Sequence, residues 1–123
     1  MFATIASIML SLRLIFPAVE GLASYYNVAS SSALTASGEP MVDEAFTCAM
    51  PDGEFGAYYR VSAENGRTVV CRLNDRGPYV EGRVIDLSEA AMRELGGIDS
   101  GLLRVRVELL PPSALPDLFG AGG

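Results

Sequence analysis

The segment 68–88, TVVCRLNDRGPYVEGRVIDLS, decides how this chain folds. Two runs rich in Val, Ile and Leu flank a Gly-Pro turn, and such runs bounded by turn residues predict β-strands. The first run leads into Asp75 and Arg76, and the second contains Asp86 near its end. The segment therefore predicts a rigid β-scaffold that presents acidic and basic side chains beside turns.

Turn signals divide the rest of the chain into short runs with the alternation typical of strands. Asn65-Gly66 between two β-rich runs predicts a hairpin, and Ser88 with Gly96 predicts a short helix over 89–95. The predicted strands are 21–27, 57–63, 67–74, 83–86 and 103–110, and a short apolar run lies at 45–50. A β-dominated single domain is the expected fold class.

Composition narrows the chemistry that the chain can perform. Its 123 residues carry a formal net charge of −6, and all nine cationic residues are arginine. An acidic chain without a lysine-rich patch is a poor nucleic-acid binder. There is no histidine, so acid–base catalysis must use carboxyl groups or tyrosine, and neither a metal site nor a cofactor is predicted.

The two ends of the chain are expected to lie outside the domain. Residues 1–20 are mostly apolar, with charged side chains only at Arg13 and Glu20, which predicts a signal peptide for export, with a retained anchoring helix as the alternative. No cysteine lies in this segment, so a lipid anchor is not predicted. Residues 111–123 are rich in Pro and Gly and are expected to form a flexible tail.

Cys48 and Cys71 both lie in β-rich runs. An even number of cysteines in an exported chain predicts a disulfide between them. It would close a loop of about 23 residues and contribute roughly 3 kcal/mol of stability. The alternative is a pair of buried free thiols.

Several motifs together resemble the rare lipoprotein A family in order and spacing. They are GLASYY at 21–26, TASGE at 35–39, VCRLNDRGP at 70–78, GRVIDLS at 82–88 and the run from 95 to 107. The resemblance covers about 21–110 and implies a six-stranded double-psi β-barrel with one or two short helices. It also implies the cell envelope or periplasm as the location, with peptidoglycan glycan strands as the substrate.

The resemblance implies a reaction as well as a fold. Some family members are lytic transglycosylases, which cleave between N-acetylmuramic acid and N-acetylglucosamine without water and leave a 1,6-anhydro end. Asp75 and Glu39 match positions that the family uses for catalysis. The alternatives are that Asp75 binds the backbone of its own turn and that Glu39 is a solvated loop acid.

Four more residues are predicted to contact the substrate. Tyr26 and Tyr79 could stack on sugar rings, although at least one tyrosine of this region is expected in the core. Arg76 and Arg83 could bind polar groups of the glycan. Asp86 is predicted to be a structural acid paired with one of these two arginines.

One departure from the family pattern separates two functions. Active members carry a histidine eleven residues after the glutamate, where this chain has Met50, and methionine cannot shuttle a proton. The chain is therefore either a transglycosylase that works through Asp75 and Glu39 or a glycan-binding barrel that no longer cuts. A purely structural envelope module is a third, more remote class. A monomer is expected, and a protein partner in the envelope or division machinery is left open.

Overall fold

The computed structural model of the protein describes residues 18–30 and 34–116. Most of the predicted leader, 1–20, and of the predicted tail, 111–123, lies outside the described residues. Within the described ranges, no helix combines the length and apolar character that crossing a membrane requires.

Six strands form a closed barrel in the order β1-β5-β2-β4-β3-β6. The strands are β1 (Ala18–Tyr26), β2 (Thr47–Ala49), β3 (Tyr58–Ala63), β4 (Thr68–Asp75), β5 (Arg83–Ser88) and β6 (Leu103–Leu109). The pairs β1–β5 and β2–β4 are parallel, whereas the other four pairs are antiparallel. The predicted β-dominated, six-stranded barrel is confirmed.

The barrel interior is filled by one side of each strand, as the two-residue period of β-structure requires. In β5, Ile85 and Leu87 are fully buried while Asp86 between them is only half-buried. The largest fully buried apolar side chains are Leu73, Ile85, Leu87, Met92, Leu95, Val61 and Val107. Side chains at the intervening positions therefore lie on the outer surface of the barrel, where the candidate site is found.

The predicted hairpin joins β3 to β4. Gly66 has a φ of +90°, a conformation that glycine adopts without steric cost. The Asn65 side chain accepts a hydrogen bond from the Arg67 amide at 2.9 Å and donates one to the Leu95 carbonyl at 2.8 Å. The turn thus fixes the hairpin and also ties it to the helix that follows β5.

That helix, α1, spans Glu89–Leu95, as the capping residues predicted. The Ser88 side chain accepts a hydrogen bond from the Ala91 amide, and Gly96 ends the helix with a left-handed φ of 78°. Ala91, Met92 and Leu95 are fully buried. Because a helix of seven residues is marginal alone, this packing holds it in place.

The first strand begins earlier than its alternation indicated. β1 starts at Ala18, which pairs with Glu108 of β6, and the pairing continues to Ala23. The sequence placed the strand start at residue 21, because nothing local to 18–20 shows that β6 offers backbone partners there. Residues 18–20 therefore belong to the barrel in the structure.

The predicted disulfide between Cys48 and Cys71 is not formed. Both residues are buried free thiols, and the Cys71 thiol donates to the Cys48 sulfur over 2.9 Å, longer than the ~2.05 Å of an S–S bond. The parallel register pairs Cys48 with Leu73, so the cysteines are diagonal neighbours. Their sulfur atoms are in contact without being bonded. The alternative of two buried thiols is correct.

Candidate functional site

Three neighbouring strands place two carboxyl groups on one surface of the barrel. Ala49 of β2 pairs with Asp86 of β5 on one side and with Asp75 of β4 on the other. Paired residues of adjacent strands point to the same face. We call this line of residues (Asp86, Ala49 and Asp75) the carboxylate row. Two strand spacings separate its acids, or roughly 10 Å between their Cα atoms.

An irregular register places Asp75 in the row. On β4 the pairing with β2 skips Asn74, because Cys48 pairs with Leu73 and the next residue, Ala49, pairs with Asp75. An extra residue of this kind re-aims the side chains that follow it. Asp75 is therefore brought opposite Ala49 at the end of its strand.

The Asp75 carboxylate is held through one of its two oxygens. Oδ1 accepts hydrogen bonds from the Ala36 amide at 2.8 Å and from the Arg76 amide at 2.9 Å. Among the described residues, no hydrogen bond reaches the other oxygen, Oδ2. Asp75 does bind the backbone of its own turn, as the structural alternative predicted, and it retains an oxygen that can face a ligand.

Glu39 forms an ion pair instead of standing alone on its loop. Its Oε1 lies 2.9 Å from Nη1 of Arg72, and the two side chains are 42% and 32% exposed. The hydrogen bond from Arg72 lowers the pKa of Glu39, and further hydrogen bonds from Asn74 and Ser37 act in the same direction. Glu39 is consequently a carboxylate at neutral pH and cannot supply a proton to a leaving group.

Asn74 lies next to Glu39. It is 3% exposed, and its side chain is among the groups that lower the pKa of Glu39. Its Oδ1 is buried and has no hydrogen-bond partner among the described residues. Asn74, Arg72, Glu39 and Thr47 line a cavity of about 240 Å³ beside the carboxylate row. The outer face thus continues from the row into a polar recess.

Asp86 is not paired with Arg76 or Arg83, in contrast to the sequence prediction. Its Oδ1 accepts a hydrogen bond from the Ser24 hydroxyl at 3.1 Å, and Ser24 is its partner in the β1–β5 ladder. The pKa of Asp86 is raised, chiefly because burial penalises its charged form. The guanidinium of Arg76 cannot pair with it because that group is engaged on a different loop.

Arg76 holds the loop that follows β2. Its Nη2 donates to the Gly53 carbonyl at 2.6 Å, and its guanidinium lies 4.2 Å from the centroid of the Phe55 ring. A weaker contact of 3.5 Å joins Nη1 to the Met50 carbonyl. These contacts position the loop and account for much of the hydrogen-bonding capacity of Arg76.

The two predicted stacking tyrosines occupy different environments. Tyr26 is 6% exposed, packs with Met41 and Ala49, and shares a 3.0 Å hydrogen bond with the Thr47 hydroxyl. Burial strongly raises the pKa of its phenol, to which Asp75 and Asp86 also contribute. Tyr79 is 78% exposed. Tyr26 therefore lies against the row, whereas Tyr79 is available for stacking only from a solvated position.

Met50 is part of the barrel core. It is 7% exposed and belongs to the main apolar cluster, while its amide donates to the Asp75 carbonyl at 3.3 Å. The position at which active relatives are expected to carry histidine is thus directly beside Asp75 in the strand ladder. In this chain Met50 occupies that position, where it packs in the apolar core and offers no proton-transfer group.

Comparison with known proteins identifies the family. The sequence profile described as lytic transglycolase matches residues 18–107, the whole barrel apart from the end of β6. The chain belongs to the lytic transglycolase family. The resemblance to the rare lipoprotein A family is confirmed by relatives that are named RlpA.

Two such relatives illustrate the similarity. A Nostoc sp. protein named "Probable endolytic peptidoglycan transglycosylase RlpA" is 48% identical over 103 residues, which cover 81% of this chain and 27% of that protein. The "Endolytic peptidoglycan transglycosylase RlpA" of Pasteurella multocida is 45% identical over 92 residues, or 74% of this chain and 31% of that protein. The chain thus spans about a third or less of the length of these relatives.

Solved structures agree on the fold of this family member. A Streptomyces papain inhibitor superposes with a TM-score of 0.64 at 24% identity, covering 77% of this chain and 96% of that one. An expansin of Clavibacter michiganensis gives 0.62 at 22% identity, covering 78% and 52%. At this identity the similarity concerns the barrel alone.

Sequence reasoning missed three residues of the site. Ser24 binds Asp86, Asn74 supports Glu39, and Ala49 separates the two acids of the row. Asn74 lies within the NDRGP motif and Ser24 within the first strand, so both belong to segments that the sequence identifies. Only the folded structure shows which carboxyl group each one meets.

Proposed function

We propose that this domain is a lytic transglycosylase acting on peptidoglycan glycan strands. The proposal is carried by one observation: Asp75 is fixed through Oδ1 by two backbone amides, and no hydrogen bond from the described residues reaches its Oδ2, at one end of the carboxylate row. A carboxyl group with a fixed orientation and one available oxygen suits proton transfer to or from a bound substrate. Membership of the lytic transglycolase family supports the reaction class.

The reaction needs one proton delivered and one removed. The glycosidic oxygen must be protonated as its bond to the anomeric carbon breaks, and the 6-hydroxyl of the same sugar must lose a proton as it closes the 1,6-anhydro ring. In its simplest form Asp75 performs both steps in turn. Glu39, held as an anion by Arg72, would stabilise the positive charge that develops on the sugar ring.

Asp75→Asn tests this function. The amide keeps an Oδ1 that can accept both backbone hydrogen bonds but cannot transfer the proton. We expect release of 1,6-anhydro muropeptides from purified sacculi, detected by mass spectrometry, to fall at least about 100-fold while the fold is retained. Asp99→Asn, in the exposed turn before β6, is the matched control and should match the parent. Equal product from Asp75→Asn and the parent would disprove the assignment.

A second function is favoured by one specific observation. Met50 is buried in the core beside Asp75, so the proton-transfer group expected at this position is absent. We infer that a barrel without activity would retain glycan binding through Tyr79, Arg83 and the polar recess. Cosedimentation with sacculi, without release of anhydro product by the parent, would favour this function. Protein that remains wholly in the supernatant would exclude it.

The location and partners follow from the proposed substrate. We propose that the protein is exported to the periplasm or cell envelope, since peptidoglycan lies there, and that it acts as a monomer without a cofactor. A lipid anchor is not part of the proposal. An envelope or divisome protein remains the expected class of protein partner.

A further inference from the structure

We propose that Asp86 is a second catalytic residue, the proton donor to the leaving glycosidic oxygen, and that Asp75 is the base that receives the proton of the 6-hydroxyl. This assignment rests on the proposed transglycosylase function and divides between two carboxyl groups the work first given to one. It replaces the structural role that the sequence suggested for Asp86.

The strand register carries the argument. Asp86 and Asp75 occupy the two ends of the carboxylate row, and the residue between them is alanine. Ala49 is 2% exposed and packs with Tyr26 and Met41, so the two acids lie on either side of a small, tightly packed apolar patch. A sugar bridging the row would meet one acid at each end.

The contacts of Asp86 suit a donor better than an ion-pair partner. In the described part of the chain, Ser24 is the only side chain that hydrogen-bonds it, and no salt bridge includes it. Its alternating neighbours, Ile85 and Leu87, are fully buried, so they anchor the strand and fix the direction in which Asp86 points.

The groups that face Asp86 set its protonation. Asp75 on β4 raises its pKa, Arg83 on β5 and the Ser24 hydroxyl on β1 lower it, and the largest effect is burial, which raises it. β2 contributes only the methyl group of Ala49, and β1 also contributes the neutral phenol of Tyr26. The other candidate donors fail, because the pKa of Glu39 is lowered by Arg72 and Met50 carries no proton.

The proposed step is balanced in atoms and protons. The bond between the anomeric carbon and the bridging oxygen breaks, its electron pair goes to that oxygen, and Asp86 supplies the proton that makes it a hydroxyl. The 6-oxygen forms a bond to the anomeric carbon and passes its proton to Asp75. Asp86 ends as a carboxylate and Asp75 as an acid, so exchange with water restores both for the next cycle.

The experiment compares Asp86→Asn with Asp75→Asn, and with Asp99→Asn as control. On sacculi, both active-site variants should release at least about 100-fold less anhydro product than the parent. The second substrate is a glycan oligomer whose reducing-end N-acetylmuramic acid bears 4-nitrophenolate, a leaving group that needs no proton. On it, Asp86→Asn should recover most of the parent rate, whereas Asp75→Asn should remain inactive.

A pH profile separates catalysis from a structural role. Parent activity should be lost as pH rises through the pKa of Asp86, because the donor is then ionised. Ser24→Ala should move this alkaline limb to higher pH, since it removes a hydrogen bond that favours the charged form. A merely structural Asp86 would leave the limb where it is.

The outcomes distinguish the two proposals. Absence of anhydro product from the parent overturns the transglycosylase function itself. A parent that is active together with an active Asp86→Asn overturns only the assignment of Asp86. Equal impairment of both asparagine variants on the nitrophenyl substrate, or an alkaline limb unmoved by Ser24→Ala, also overturns that assignment.

Discussion

Glu39 and Asp86 are two carboxyl groups on the outer face of the same barrel, and their surroundings shift their pKa values in opposite directions. Arg72 donates to Glu39 and lowers its pKa, whereas burial raises the pKa of Asp86. Pairs of acids separated in this way are typical of active sites that need an anion and a proton donor together. Neither effect follows from the type of residue, because Glu39 meets Arg72 of β4 from a loop distant in sequence, and the burial of Asp86 depends on the elements packed around β5.

Replacing Glu39 with glutamine should destabilise the protein at neutral pH and have no effect in strong acid. A carboxyl group whose pKa is lower in the folded state stabilises that state above its ordinary pKa, near 4.5, and this contribution is lost as pH falls through the folded value. The melting temperatures of parent and Glu39→Gln, measured from about pH 7 down to about pH 2, should therefore converge. Glu81→Gln, at an exposed acid without an ion pair among the described residues, is the control. A difference that grows in acid would contradict the ion pair as its source.

Single residues were predictable from sequence where a motif fixes their place along the chain. Asp75 and Glu39 come from two such motifs. The partner Ser24 and the spacer Ala49 were not predictable, because they meet the acids through pairings between strands distant in sequence. Asn74 was not predictable because it contacts an acid on a distant loop. The disulfide failed for the same reason, since spacing along the chain does not show that the cysteines are diagonal.

At the scale of elements, β2 is the most dependent on its surroundings. It has only three residues, yet it separates β4 from β5 and carries the centre of the carboxylate row. The Ser88 hydroxyl fastens its start, donating to the Ala45 carbonyl at 2.6 Å and accepting from the Thr47 amide at 3.4 Å. The same oxygen caps helix α1. One side chain thus joins the helix to the shortest strand.

Ser88→Ala should lower the free energy of unfolding by about 2–4 kcal/mol. Loss of a helix cap costs about 0.5–2 kcal/mol, and leaving buried backbone groups without a partner adds about 1–3 kcal/mol. Urea denaturation followed by far-ultraviolet circular dichroism measures the change. Ser113→Ala, at an exposed position outside the barrel, should stay close to the parent. If Ser88→Ala lowers the free energy of unfolding only by the cost of a helix cap, about 0.5–2 kcal/mol, then β2 does not depend on this hydroxyl.

Elements whose ends are marked by turn or cap residues could be predicted from the sequence. Strand ends that depend on pairing with a strand distant in sequence could not. The Asn65-Gly66 turn and the Ser88 and Gly96 caps placed the hairpin and the helix correctly. The start of β1 at Ala18 was missed, since it follows from pairing with Glu108, ninety positions away (108 − 18). Backbone hydrogen bonding extends a strand wherever a partner is present, whatever the local pattern indicates.

For the molecule as a whole, closure of the barrel gives every strand two neighbours. β6 pairs with both β1 and β3, so the six described strands leave no exposed sheet edge between them. One apolar cluster draws buried residues from all six strands and α1. The carboxylate row lies on strands that share this cluster. Its geometry should therefore persist until the entire barrel unfolds.

Leu87→Ala tests this cooperativity. The residue is fully buried on β5, the strand between β1 and β2, and removing it should cost about 2–5 kcal/mol. Because β5 bonds to both neighbours, the variant should still unfold in a single transition at lower temperature. Far-ultraviolet dichroism for the strands and near-ultraviolet dichroism for the tyrosines should then give the same midpoint. Leu102→Ala, at a position 38% exposed, is the control and should cost much less. Separate midpoints in Leu87→Ala would mean that part of the barrel opens independently, so that the carboxylate row could be lost while other strands remain folded.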